Sequence, residues 1–476
     1  MAGGRLSRPL LRLPLVAGWG AAGLAVSVGL ASADASVLLL AWLVVLAGVG
    51  VLAIAVAEPR WVLILLLVLL VGYIAETAGP ALGLPNGSYK LIVLIAVGLL
   101  VRRAFGLEKF VIGPVTLAIL ALFLVTALSA AFATDRDVGI AELGELARNA
   151  SVVVLMTMLI DRASWLRRAV WAYVLPAGAL AAVAVFQQVT KTYERDYGGF
   201  ATVQDQGGLI RSEGPLHAVF FGQVLVPAAI LALYLAIASP RRSVRLPAFA
   251  TFGTCLAAIG YTASRGALVA IACGLLLTVL LQPRRTWMPI GALAVTLLLV
   301  LPGLSEDYRT RLAAPTAAVV SGSGSASALD DRSLRGRVGE NIAAGQMFLD
   351  YPVLGVGPGN YPGRYLEYSP AIGLDPRPVE RPPHNLLLEA LAETGIMGTL
   401  ALMAVLGLAL KGAWTARGAL AGRDGVLAEG VFVALVGFLV SGLFLHASTP
   451  RYLWVVVGLA LATRALVPAP QPSVAR

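Results

Sequence analysis

The sequence predicts an all-α, polytopic membrane protein, and its composition and hydropathy are the observations that predict it. Of the 476 residues, 58% are hydrophobic and only 13% are charged, and the mean hydropathy is +0.83. Apolar runs of about 16–22 residues, enough to cross a bilayer as a helix, recur along almost the whole chain. We therefore predict membrane helices throughout and no water-soluble domain.

The apolar runs can be placed one by one along the chain. They cover 14–33, 36–57, 61–78, 88–101, 113–133, 147–160, 169–190, 216–238, 247–263, 265–282, 287–304, 385–410, 426–446 and 451–466. The runs at 88–101 and 147–160 are short, which suits tilted, half-buried or interfacial segments. We predict about twelve to fourteen transmembrane helices.

The distribution of basic residues predicts the orientation of these helices. With the N-terminus in the cytoplasm and all the spans threaded in turn, every inward loop is basic, with Arg60, Arg162, Arg241 and Arg423 as examples. The outward segment 305–383 holds eight arginines against nine acidic residues. The net charge of +10 is therefore a topology signal and not a sign of nucleic-acid binding, and both termini are predicted to be cytoplasmic.

Three parts of a single integral domain follow from this topology. Residues 1–304 form an N-terminal transmembrane bundle, 305–384 a large extracytoplasmic loop, and 385–476 the C-terminal transmembrane helices. Within the loop, apolar residues recur at helical spacing over 333–349, which predicts an amphipathic helix on or near the outer membrane surface. Pro352 ends this helix, and a glycine-rich tight turn follows.

The histidines are candidate proton carriers. The chain has three, His217, His384 and His446, and all lie at predicted outer ends of spans. A proline pair, which suits the start of a helix, immediately precedes His384 and places it where the large loop enters the next span. An imidazole at this boundary can move a proton at neutral pH. The alternative is an interfacial histidine that only caps a helix.

Two carboxylates follow His384 in the same predicted span. Glu389 and Glu393 are four residues apart and share one face of the helix. Glu389 lies about 140° around the helix from His384, so the spacing does not predict a direct pair. Buried carboxylates near a membrane are functional candidates, although structural ion pairs are common, and we count Glu389 among the candidate substrate-binding residues.

Arginines also collect at the predicted outer boundary. Arg211 precedes the span at 216–238, Arg265 begins the span at 265–282, and Arg451 begins the last span. Because almost no loop separates Arg265 from the preceding span, its guanidinium is held close to the membrane and requires an anionic partner. A pyrophosphate fits its planar fork of donors, and a lipid phosphate fits it too.

No cofactor is predicted. The run Gly355–Gly359 is rich in glycine, but no βαβ unit surrounds it, so a turn is the better interpretation than a nucleotide loop. No P-loop or metal-binding His or Cys pattern occurs in the chain. Cys255 and Cys273 lie inside predicted spans, which disfavours a disulfide framework.

These residues together resemble the O-antigen ligase and O-antigen polymerase superfamily. The segments that carry the resemblance are Arg211–Gly214, Ser264–Gly266, the helix with Arg335-Gly336-Arg337, the turn Asp350–Gly357, His384-Asn385 with Leu388-Glu389, and Glu393–Gly398. Many spans with one large outward loop late in the chain are also typical of it. The motifs cover about 200–400, and the flanks agree only in hydropathy.

The resemblance implies a metal-independent glycosyltransferase with a GT-C-like, all-helical fold in the bacterial plasma membrane. It implies transfer of a glycan from an undecaprenyl-pyrophosphate carrier to a glycan, lipid or protein acceptor at the outer face. It also implies that His384 deprotonates the acceptor hydroxyl and that Arg211 and Arg265 bind the donor pyrophosphate. We add His217 and Glu389 as candidate substrate-binding residues.

Two other classes stay open at this point. A transporter or flippase of lipid-linked glycan would place charged or unwound segments near mid-membrane, whereas the polar intrusions here are mainly Gln187, Gln188 and Gln223. A non-catalytic scaffold of an envelope polysaccharide complex is the third interpretation. Among enzymes, the sequence does not separate a ligase from a polymerase.

Overall fold

The computed structural model describes residues 48–77, 87–106, 113–206, 209–283, 290, 291, 294, 332–374, 379–445 and 451–467. The described helices are α1 (Gly48–Ala57), α2 (Pro59–Val71), α3 (Ile74–Thr77), α4 (Gly87–Ala104), α5 (Pro114–Ala131), α6 (Arg136–Leu159), α7 (Ala163–Thr190), α8 (Ala218–Ala238), α9 (Arg242–Tyr261), α10 (Arg265–Leu281), α11 (Arg332–Asp350), α12 (Tyr361–Ile372), α13 (Leu386–Ala419), α14 (Gly422–Gly442) and α15 (Arg451–Ala465). One antiparallel hairpin, β1 (Thr202–Gln206) and β2 (Leu209–Gly214), joins α7 to α8. The predicted all-α class is confirmed.

Six of these helices, α5, α7, α8, α9, α13 and α14, are long and apolar enough to cross a membrane. On α5, Leu117, Leu120, Leu124 and Leu128 form an exposed apolar stripe, as expected of a surface that faces lipid. The protein is therefore a multi-pass membrane protein. The predicted spans at 14–33 and, but for three residues, 287–304 lie outside the described residues.

The chain divides into two compact units, 1–66 with 87–111, and 67–86 with 112–476. In the first, α4 packs closely on α1, since a Cβ atom at Gly98 would lie 2.6 Å from the carbonyl oxygen of Ala55. The second contains every candidate site residue. Its central helix is α8, which is buried along almost its whole length against α7, α9, α10 and α14.

A buried carboxylate joins four helices at one end of α8. Glu429 on α14 accepts hydrogen bonds from the Tyr234 hydroxyl (3.1 Å) and the Gln282 amide (2.8 Å), and its other oxygen lies 3.3 Å from Nε of Arg417. These partners belong to α8, the end of α10 and α13. We call this end of the second unit the Glu429 end. The opposite end of α8, about 30 Å away for 21 residues, is the His384 end.

A break in α13 gives the glycine-rich turn its structural role. Gly395 has φ 62° inside the helix, which interrupts the helical hydrogen bonds there. The amide of Ile396 donates instead to the carbonyl of Pro352 (2.9 Å), and the carbonyl of Ala392 accepts from the amide of Val356 (2.9 Å). Residues 352–359, which we call the interlocked turn, thus satisfy backbone groups that the break exposes.

Only glycine fits where the two backbones meet. A Cβ atom at Gly355 would lie 2.3 Å from the carbonyl carbon of Glu393, and one at Gly395 would lie 2.3 Å from the carbonyl oxygen of Val353. Ser129 at the end of α5 donates to the carbonyls of Leu354 and Glu393 from the same position. The predicted turn is confirmed, and it is a packing element of the membrane helix.

The structure departs from the sequence predictions in three places. The polar segment 191–215 contains the hairpin β1–β2, and α12 occupies part of the stretch between the interlocked turn and His384, where we predicted no element. The predicted amphipathic helix is present as α11, but its face with Ala343, Ala344 and Met347 is buried against protein. The helical period alone did not distinguish a protein-facing side from a membrane-facing one.

Candidate functional site

His384 lies directly before α13, where the sequence placed it. The next residue, Asn385, is the N-cap, and its side-chain oxygen accepts from the amides of Leu387 (2.9 Å) and Leu388 (3.2 Å). This cap satisfies amides that the start of a helix leaves without partners and so stabilises the point where the chain enters the helix. The His384 ring is about one-sixth exposed and is therefore held in the protein while it still reaches the surface.

A buried carboxylate from α11 holds the histidine ring. Nδ1 of His384 lies 2.5 Å from Oε2 of Glu340, and Nε of Arg381 lies 2.6 Å from Oε1 of the same side chain. Glu340 is 1% exposed, so its charge is compensated by these partners and not by bulk water. Because each oxygen has a different partner, the carboxylate fixes both side chains. We call Glu340, Arg381 and His384 the His384 triad.

The hydroxyl of Tyr361 on α12 fixes the backbone beneath this triad. It donates to the carbonyl of Glu340 at 2.5 Å. Burial, with the nearby charge of Glu340, raises the pKa of Tyr361 far above its ordinary value, so the hydroxyl stays protonated and remains a donor. The triad is thus supported by α11, α12 and the start of α13.

Arg211 contacts the turn between α9 and α10, and Arg265 directly follows that turn. Arg211 is buried on β2, and its Nε donates to the carbonyl of Thr262 at 2.8 Å. Thr262 is three residues before Arg265, which begins α10 after the N-cap Ser264. The hairpin therefore brings Arg211 beside the start of the helix that carries Arg265. This hairpin was not predicted, although both arginines were.

The turn after α14 connects the arginines to the histidine. Gly266, the residue after Arg265, packs against Phe444, and a Cβ atom there would lie 2.8 Å from the Phe444 Cβ. Asn385, the residue after His384, donates to the carbonyl of the residue before Phe444 at 3.4 Å. A single short turn thus contacts the neighbours of both candidates, which places Arg265 and His384 on the same side of the second unit.

His217 lies within electrostatic range of the same groups. It precedes the first residue of α8 as the N-cap, and its Nε2 lies 4.0 Å from a carboxylate oxygen of Glu213. Burial lowers its pKa below the ordinary value, Glu213 opposes that shift, and the charges of Arg211 and His384 add to it. The His384 end of the unit therefore collects His384, His217, Arg211 and Arg265.

The remaining sequence candidates have other surroundings. Glu389 is buried in the first turns of α13, and the carboxylate that pairs with His384 is Glu340 instead. Arg451 pairs with Glu76 and lies over the ring of Tyr73 at 4.7 Å, which accounts for it as a structural contact. His446 lies outside the described residues.

Sequence reasoning missed the roles of Glu340 and Arg381. A signal for Glu340 was present, because Gly336, Ala343 and Ala344 place small residues on its helix face. Small residues allow another element to approach closely, and a glutamate on such a face is buried and needs partners. Arg381 carried no such signal, because its contact depends on the path of the loop.

This arrangement can do proton-transfer chemistry next to an anion site. It offers an imidazole oriented by a carboxylate, with two guanidinium groups and a second imidazole on the same side. In the described ranges, no group of three or more His, Cys, Asp or Glu side chains is placed to hold a metal ion.

Residues 250–403 match the O-antigen ligase family, Wzy_C. The match runs from α9 into α13 and includes Arg265, Glu340, His384 and the interlocked turn, while Arg211 and His217 precede it. No curated protein matches the chain. The motifs and the family match agree: residues 250–403 of this multi-pass membrane protein are similar to the O-antigen ligases, a family of glycosyltransferase-type ligases and polymerases.

Proposed function

We propose that this protein transfers a glycan from an undecaprenyl-pyrophosphate carrier to an acceptor hydroxyl at the outer face of the bacterial plasma membrane. The observation that carries the proposal is the pairing of His384 with the buried Glu340 on the same side of the unit as Arg211 and Arg265. The donor brings its own activation, so the reaction needs no nucleotide. A GT-C-like arrangement of the membrane helices belongs to the same proposal.

His384 acts as the general base in this mechanism. A carboxylate only accepts hydrogen bonds, so Glu340 favours the ring tautomer with the proton on Nδ1. Nε2 then carries the lone pair that removes the proton from the acceptor hydroxyl. Glu340 also stabilises the imidazolium that forms, as a buried carboxylate does beside a histidine base.

Arg211 and Arg265 stabilise the leaving group. As the acceptor oxygen bonds to the anomeric carbon, the bond from that carbon to the pyrophosphate oxygen breaks and negative charge develops on the carrier. Guanidinium groups that are already in place favour this transition state over the ground state. Direct displacement of this kind inverts the anomeric configuration. His217 and Glu389 are proposed to contact the sugars of the substrates.

The charge distribution supports the orientation. Arg162, Arg241 and Arg423 all lie at the opposite end of the unit from His384, and the positive-inside rule assigns such an end to the cytoplasm. The His384 end then faces outward, where the lipid-linked donor and the acceptor meet, and both termini are cytoplasmic.

A flippase is the second candidate, and two of the three glutamines argue against it. Gln187 donates to the carbonyls of Arg195 and Ala201, and Gln188 donates to the hydroxyl of Ser212. They therefore anchor the segment that carries Arg211 and do not line a path at mid-membrane. This observation favours an enzyme whose outer segment must be held in place.

The test uses purified full-length protein with a lipid-linked glycan, with and without an added acceptor. We expect a glycan product from the wild type, and a loss of about 100-fold or more in His384→Ala, because general bases contribute on that order. Gln346→Ala, an exposed change on α11, serves as the matched control and should keep full activity.

The outcomes separate the alternatives. Full activity of a normally folded His384→Ala would reject the mechanism, and a product with the donor's anomeric configuration would reject direct inversion. Movement of the lipid-linked glycan across vesicles with no product from the wild type would identify a flippase. A ladder without added acceptor identifies a polymerase, and a single transfer identifies a ligase.

A further inference from the structure

A pocket lined by arginines and apolar side chains lies at the Glu429 end of the second unit. Its volume is about 340 Å³, and its lining includes Arg167 and Arg168 on α7, Arg241 before α9, and Arg423 on α14. Among the described residues that line it, none is acidic. The length of α8 separates this pocket from His384 by about 30 Å, so it is not part of the site described above.

The backbone reinforces the positive charge of the pocket. Three helices, α7, α9 and α14, begin beside it, with Arg162, Arg241 and Ala421 as their N-caps. None of these three caps makes a side-chain hydrogen bond to the helix amides. Each helix start carries a partial positive charge and amides that need acceptors, and an anion in the pocket satisfies both requirements.

The charge is only partly compensated within the protein. Asp424 lies beside the pocket and pairs with Arg167 at 2.5 Å. Arg168 lies over the ring of Trp165 at 4.3 Å, which orients its guanidinium. Arg241 and Arg423 are exposed at the rim, and among the described residues that line the pocket no carboxylate lies beside them.

The walls identify the class of anion. Trp171, Leu235, Val244 and Leu427 form an apolar surface next to the arginines. A small soluble phosphate makes no favourable contact with an apolar surface. A phospholipid does, because its acyl chains lie directly beneath its phosphate. Basic pockets between membrane helices are suited to anionic headgroups for this reason.

We propose that this pocket binds the phosphate of an anionic phospholipid, with Arg241 and Arg423 as its ligands and the apolar wall against the acyl chains. The proposal is independent of the glycosyl transfer proposed above. It gives the protein a lipid site at the end that the basic loops assign to the cytoplasm.

The test measures lipid binding to the intact detergent-solubilised protein by native mass spectrometry. Phosphatidylglycerol and phosphatidylcholine are titrated against the wild type, Arg241→Gln/Arg423→Gln, and the control Arg242→Gln/Arg245→Gln, which removes the same charge from residues that do not line the pocket. We expect the pocket variant to bind phosphatidylglycerol about tenfold more weakly or worse, and the control to match the wild type.

Three results would overturn the proposal: equal wild-type affinity for the two lipids, an equal loss in both double variants, or inorganic phosphate that binds as tightly as phosphatidylglycerol. The last result would indicate a site for a soluble phosphate. If the double variant does not fold, the single changes at the two exposed arginines give the same comparison, with thermal stabilisation by phosphatidylglycerol as a second measurement.

Discussion

Two buried glutamates at the His384 end, Glu340 and Glu393, differ in the kind of partner that each carboxylate has. Both side chains are less than 10% exposed. The carboxylate of Glu340 contacts side chains, His384 and Arg381, that themselves reach the surface. The carboxylate of Glu393 accepts hydrogen bonds from two backbone amides. One is that of Gly359 in the interlocked turn (2.9 Å), and the other is that of Tyr361, just after the turn (3.3 Å).

The difference separates a carboxylate suited to chemistry from one suited to structure. Backbone amides cannot titrate or move far, so Glu393 stabilises one conformation of the turn. An imidazole partner can gain and lose a proton, so Glu340 can influence a reaction through His384. Burial alone therefore does not assign a role, and the kind of partner decides it.

The largest expected effect is on stability, and it comes from a substitution in the interlocked turn that Glu393 stabilises. In Gly355→Ala, the new Cβ would lie 2.3 Å from the Glu393 backbone, at a φ of 71° that strains any L side chain. We expect a loss of about 3 kcal/mol or more in stability, seen as little folded protein in size-exclusion chromatography and thermal unfolding.

Gly363→Ala is the matched control for this change. Gly363 is in α12, and a Cβ atom there would meet no packing neighbour within 4 Å, so alanine should be neutral or slightly stabilising. Normal yield and unfolding temperature of Gly355→Ala would contradict the interlocking of the turn with α13.

A smaller effect, on turnover instead of folding, is expected at Glu340. In Glu340→Gln the side chain keeps its shape but loses the charge that favours the Nδ1–H tautomer and the imidazolium of His384. We expect kcat for glycosyl transfer to fall about tenfold to a hundredfold with little change in KM, because the effect arises in the transition state.

Glu393→Gln provides the contrast. It replaces one of two accepting oxygens with an amide donor that faces a backbone N–H, which costs about 1–3 kcal/mol of stability. We expect a lower unfolding temperature with kcat of the folded fraction near that of the wild type. The same kcat loss in both variants would show that the two carboxylates do not differ as described.

The sequence was sufficient for the membrane helices and for the position of His384. Apolar length and the proline pair are local signals, and the described helices α5, α7 and α8 begin and end within a few residues of prediction, apart from the longer start of α7. His384 was placed correctly because Asn385 caps the helix that the apolar run predicts.

The long-range contacts were not accessible in the same way. The pair between Glu340 and His384 joins residues 44 positions apart, and the contact from Ser129 to the carbonyl of Glu393 spans 264 positions. Neither contact produces a periodic pattern of residues in the sequence. The hairpin that carries Arg211 was missed because β1 and β2 are short and one of them, Leu209–Gly214, mixes apolar and charged residues without strict alternation.

The smallest expected effect concerns a third acidic residue, Glu142, next to the interlocked turn. With Glu393, Thr126 and Trp454 it lines a cavity of about 50 Å³. Burial, and then the charge of Glu145, raises the pKa of Glu142 above 4.5, while Arg148 opposes the shift. The surroundings of Glu142 therefore favour its protonated form more than water does, whereas the arginine and histidine beside Glu340 are partners for a negative charge.

The sign of the pH dependence follows from this shift. Between pH 4.5 and the raised pKa, the folded state binds more protons than the unfolded state, so stability falls as pH rises through that window. Glu142→Gln removes this loss, and we expect its unfolding temperature to exceed that of the wild type by about 1 °C at neutral pH, with the gap closing as pH falls toward 4.5. Glu194→Gln, at an exposed position, serves as the control for the loss of a surface carboxylate. If the difference in unfolding temperature between Glu142→Gln and the wild type did not change with pH, Glu142 would act through packing. Only a titrating group makes that difference depend on pH.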